Sequence, residues 1–108
     1  MDLIVKPDYE AVSMEAARIV AETVRRTPNV RLGLPAGRTP LGMYRRLIQL
    51  HRTERLDFSR VRLFHLDEYL GIRSDNPNSF KSYLFREFFN LINVRRANIY
   101  LIDENYEQ

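Results

Sequence analysis

Two short stretches carry residue types able to do chemistry. In LGLPAGRTPLGMYRRL, residues 32–47, an apolar run passes through Gly37, Arg38 and Thr39 into a helical pattern. Glycine lets a backbone approach an anion closely, the amides of Gly37, Arg38 and Thr39 can converge, and a helix start adds partial positive charge. Phosphate is the ligand such a junction suits. Thr39 can add its hydroxyl or keep it as a helix cap, and Arg38 can reach the same anion or point into solvent. The same residues also make an ordinary strand-to-helix turn. The stretch is neither a GxxxxGK[ST] loop nor a GxGxxG fingerprint.

In the second stretch, FHLDEYLG at residues 64–71, Asp67 and Glu68 follow directly on an apolar strand pattern. If the two strands are neighbours, Asp67 and the amides near Thr39 face one cleft, about as wide as a small sugar phosphate is long. A carboxylate there can serve as a general base. Asp67 can equally cap a turn before Tyr69 and Gly71, Glu68 can pair with an arginine, and Tyr69 can reach the cleft or only cover it. His65 reads as a hydrogen-bonded packing residue within the strand. His51 reads as exposed at a helix end, favourable to the dipole. Two distant histidines without matching carboxylates make a weak metal site.

The elements that must position these groups alternate. Residues 2–5 make a short strand, and Asp8 caps a helix running to about Arg26, with Tyr9, Val12, Ala16, Ile19, Val20 and Thr23 recurring at helical spacing. Thr27, Pro28 and Asn29 stop it. Residues 30–34 form a second strand, and 39–51 a second helix capped by Thr39, with Pro40 first and Leu41, Tyr44, Leu47 and Ile48 on one face. A third strand fits residues 61–66. A third helix fits 79–92, with Phe80, Leu84, Phe88, Leu91 and Ile92 inward, and residues 98–102 make a last strand. The order β, α, β, α, β, α, β predicts an α/β fold with a parallel sheet and right-handed crossovers. Four strands are few for a doubly wound sheet.

Composition agrees with one small domain over residues 1–108. With 44% hydrophobic and 11% aromatic residues the chain is far from the disordered class. The net charge of +3 is spread thinly, and all basic residues except Lys6 and Lys81 are arginines. The arginine pairs read as solvated faces, so nucleic acid is not an expected partner. Zero cysteines exclude disulfides, thiolate metal sites and cysteine nucleophiles. No signal-like start and no long apolar run occur, so a soluble, cytoplasmic protein without a membrane partner is expected.

Taken together the stretches resemble the glucosamine-6-phosphate deaminase (isomerase) family, a branch of the sugar-phosphate isomerase and 6-phosphogluconolactonase superfamily. LGLPAGRTPLGMYRRL is similar to that family's LGLPTGGTP loop and helix, FHLDEYLG to its MDEYVG segment, and residues 76–103, NPNSFKSYLFREFFNLINVRRANIYLID, to its aromatic-rich helix and following strand. Tyr69, Leu70 and Gly71 favour the deaminase branch over the lactonases, which carry an SGGSTP-like loop and a DER-like segment. Ala36 stands where the family often has threonine, and Arg38 where it has a small residue.

The resemblance implies a three-layer, Rossmann-like parallel sheet flanked by helices, incomplete because the similarity spans only the N-terminal half of the family fold. It implies conversion of glucosamine 6-phosphate and water to fructose 6-phosphate and ammonia, with no metal or organic cofactor. Gly37, Arg38 and Thr39 would hold the phosphate, Glu68 and Tyr69 would line the substrate, and Asp67 would move a proton between C2 and C1. The family's ring-opening histidine and acidic residues have no counterpart in this stretch, so the isolated chain is expected to be inactive. A homo-oligomer or a complementing C-terminal segment would complete it. The alternatives are a non-catalytic phosphosugar-binding module and a 6-phosphogluconolactonase-like hydrolase.

Overall fold

A computed structural model of the chain describes residues 8–65, 77 and 79–101. The strand expected at residues 2–5 lies outside them. Asp8 caps the first helix, α1 (Tyr9–Arg26), with its carboxylate accepting from the Ala11 amide at 2.8 Å. The buried face of α1 differs from expectation. Ser13, Ala17, Ala21 and Val24 turn inward, while Tyr9, Val12 and Ile19 are exposed. Small residues win that face because α1 lies close against the second helix, α2 (Leu41–Glu54), with Ser13 beside Gly42. There the larger side chains would not fit.

Strand β1 (Arg31–Leu34) pairs in parallel with β2 (Arg62–His65), and β2 with β3 (Ile99–Tyr100), giving the order β1-β2-β3. The parallel sheet of an α/β fold is therefore present. Each strand is shorter than its expected span, and β3 occupies two residues of the expected 98–102. Side-chain alternation separates the faces. Leu34, Leu63 and His65 are buried, whereas Arg31, Gly33 and Arg62 are exposed. On the outer face Phe64 stacks on Tyr100, with ring centroids 4.8 Å apart.

The core lies between the inner sheet face and the helices. Tyr44, Leu47, Phe58, Leu63, Leu84 and Phe88 are its largest fully buried side chains. Tyr44 stacks on Phe88 at 4.8 Å, and Phe58 meets Phe88 edge-on at 5.7 Å. Truncating any such aromatic to alanine would cost about 3–5 kcal/mol.

Three helix ends depart from the pattern. Thr39 does not cap α2, which begins at Leu41 after Pro40 with no side-chain cap of its own. The last turn of α2 runs past His51 to Glu54 and closes on Arg55 in the left-handed region, at φ 56° and ψ 36°. His51 is half-buried rather than exposed, its Nδ1 2.7 Å from the Leu56 carbonyl oxygen. A carbonyl only accepts, so that nitrogen carries the proton. The third helix, α3 (Phe80–Glu87), starts on Ser79, whose hydroxyl accepts from the Ser82 amide. It stops at Phe88, and a 3₁₀ turn (Phe89–Leu91) follows, which buries Phe89 and leaves Leu91 exposed. Asn93 then ties this segment to the approach of β2, accepting from the Phe58 amide at 2.8 Å and donating to Asp57 at 2.9 Å.

Candidate functional site

Residues 35–40 join β1 to α2 at the carboxyl edge of the sheet, the place where open parallel sheets take their ligands. Gly37 sits there at φ 111°, a conformation side chains disfavour. A Cβ built on it would meet nothing within 4 Å. The glycine is thus required by backbone conformation and not by crowding.

Three tyrosines, one from each helix, hold the loop's carbonyls. Tyr44 of α2 donates to the Pro35 carbonyl, Tyr83 of α3 to that of Gly37, and Tyr9 of α1 to that of Arg38 at 2.8 Å. Tyr9 also accepts from the Gly42 amide at 2.9 Å, the α2 donor an N-cap side chain would ordinarily satisfy. A phenol from α1 therefore replaces the cap expected of Thr39. Burial pushes the Tyr44 phenol far above its ordinary pKa, and partial burial with Glu87 and Tyr9 nearby raises that of Tyr83. Both remain protonated donors at neutral pH.

The amides of the loop are disposed differently from its carbonyls. Among the described residues none accepts from the backbone N–H of Ala36, Gly37, Arg38 or Thr39. Gly37, Arg38 and Thr39 are exposed. Helix α2, 14 residues long, has no acidic residue in its first turn to offset its partial positive charge. The expected Asp67, Glu68 and Tyr69 lie outside the described residues. The pairing of Leu34 with His65 nevertheless makes the chain leave β1 and β2 at one edge, with Asp67 two residues beyond His65 in sequence.

A family model of glucosamine-6-phosphate isomerases/6-phosphogluconolactonase matches residues 7–108. The chain belongs to that family. The family's glucosamine-6-phosphate deaminase of Thermoanaerobacter sp. (strain X514) is 43% identical over 101 residues, covering 94% of this chain and 40% of the relative. That of Clostridium acetobutylicum is 43% identical over 103 residues, covering 95% and 43%. Among solved structures, a monomeric glucosamine-6-phosphate deaminase of the NagB superfamily superposes with a TM-score of 0.95 at 40% identity, over all of this chain and 45% of that one. The 6-phosphogluconolactonase of Thermotoga maritima has a TM-score of 0.72 at 19% identity and shares the fold alone. The family member described here spans about 40% of the length of these curated deaminases. Among its described residues no helix is long and apolar enough to cross a membrane.

Sequence reasoning placed the loop and missed what holds it. Tyr9 and Tyr44 read as members of apolar helix faces, and Tyr83 attracted no reading. The available signal was chemical: a buried phenol needs a partner for its hydroxyl.

Proposed function

We propose that these residues supply the phosphate cradle and the proton-transferring carboxylate of a glucosamine-6-phosphate deaminase. The amides of Gly37, Arg38 and Thr39, with the Thr39 hydroxyl and the Arg38 guanidinium, hold the phosphate of glucosamine 6-phosphate. Asp67, two residues beyond His65 in sequence, moves the proton between C2 and C1, and Glu68 and Tyr69 line the sugar. The observation that carries the reading is the group of amides around Gly37, at the start of α2, that have no partner among the described residues. The deaminase relatives at 43% identity favour this chemistry over lactone hydrolysis, for which the likeness is one of fold alone.

Because the chain spans about 40% of those relatives, turnover belongs to a whole completed by a complementing segment or a second copy. The 108 residues alone bind the phosphosugar weakly and release no ammonia. The setting is cytoplasmic breakdown of amino sugars.

Titration of the chain with glucosamine 6-phosphate tests the reading. Thr39→Ala should weaken binding about tenfold, the worth of one hydrogen bond to a charged group. Unchanged affinity would remove the loop from the site. In an enzyme reassembled with a relative's remaining fold, Asp67→Asn should cut ammonia release by about 10²- to 10⁴-fold with substrate affinity nearly intact. Equal losses in both would reject the proton-transfer role.

A further inference from the structure

We infer that Tyr9, Tyr44 and Tyr83 are positioning residues that hold the carbonyls of the 35–40 loop inward and thereby aim its amides at the anion. The inference rests on the phosphate reading of that loop.

The reasoning is stereochemical. Among the described residues every peptide bond is trans. In a trans peptide the carbonyl and the following N–H point in opposite directions. Fixing the Pro35 carbonyl on Tyr44 therefore turns the Ala36 N–H the other way. In the same manner the Gly37 carbonyl on Tyr83 turns the Arg38 N–H outward, and the Arg38 carbonyl on Tyr9 turns that of Thr39. A phosphate is attracted by amide hydrogens and repelled by carbonyl oxygens, so the sense of each peptide decides whether the loop binds or rejects it.

Glycine makes the choice precarious. At φ 111° Gly37 occupies a region that it shares readily with others, so rotation of the neighbouring peptides costs little. A hydroxyl from Tyr83 on the Gly37 carbonyl selects one orientation. Two of the phenols are themselves held by packing, since Tyr44 is fully buried and stacked on Phe88, and the rings of Tyr44 and Tyr83 meet edge-on at 6.5 Å. Three helices thus fix six residues of loop through one oxygen each. Burial raises both phenols above their ordinary pKa, so Tyr44 and Tyr83 stay in the donating form at neutral pH, where phosphate is charged.

The test uses the ¹⁵N-labelled full chain with Tyr9→Phe, Tyr83→Phe and, as control, Tyr100→Phe on the outer sheet face. Phenylalanine keeps each ring and removes only the hydroxyl. Backbone order parameters at Arg38 and Thr39 should fall from about 0.85 to below about 0.6 in Tyr83→Phe and Tyr9→Phe. Affinity for inorganic phosphate, read from loop amide shifts, should fall about five- to tenfold, while the control matches the unaltered chain in both readouts. A Tyr83→Phe chain with unchanged order and unchanged phosphate affinity would overturn the clamp. An unaltered chain whose ordered loop amides ignore phosphate would overturn the phosphate reading instead. If the loop loosens but still binds phosphate as tightly, the positioning role is refuted.

Discussion

Gly37 shows how a single residue can be required by conformation alone. Space around it is open, yet φ 111° excludes ordinary side chains. Gly37→Ala should therefore cost about 1–3 kcal/mol of unfolding free energy without any clash. Chemical denaturation checks this, and a loss under about 0.5 kcal/mol would mean the loop has relaxed to another shape. The glycine was legible in sequence as a point of close backbone approach at a strand-to-helix junction, Gly37-Arg38-Thr39-Pro40, though its positive φ was not. The hydroxyl partners were not. Tyr9 and Arg38 are 29 positions apart, and no local spacing connects them.

At the level of elements, the contact between α1 and α2 was the least legible part of the fold. Helical periodicity located α1 correctly, including its Asp8 cap. It kept Val20, which packs against the core, but turned Val12 and Ile19 inward in place of Ser13, Ala17 and Ala21, because they outweigh these in hydropathy while close approach favours small side chains. Gly42 records that approach. A Cβ there would lie 2.9 Å from the Ser13 Cβ and 3.0 Å from the Tyr9 hydroxyl. In an isolated helix Gly42→Ala would gain about 1 kcal/mol. Here it should instead destabilise by about 1–3 kcal/mol through overpacking. A thermal melt decides the sign, and a rise in Tm would contradict the packing.

For the molecule as a whole, alternation of strand and helix patterns was enough to foresee a parallel sheet, since parallel neighbours need crossovers of this length. The register Leu34 to His65, which makes the chain leave β1 and β2 at one edge, follows from burying Leu34, Leu63 and His65 on a common face. The core also sets an alkaline limit. Burial holds the Tyr44 phenol protonated well above its usual range, so the folded chain keeps a proton that the unfolded chain loses near pH 10. Stability linked to Tyr44 is thus complete below about pH 10 and declines at higher pH by about 1.4 kcal/mol per unit. Alkaline denaturation followed at 295 nm should show a shallower decline for Tyr44→Phe. Identical slopes would place that phenol in contact with water.

Tyr9 is the opening residue of α1, where helices ordinarily fray. Its oxygen both gives a proton to Arg38 and receives one from Gly42, so two distant parts of the chain share a single fastening. Whatever loosens the beginning of the first helix slackens the start of the second in the same event, and the 35–40 loop can be no stiffer than a helix tip encoded 29 positions upstream.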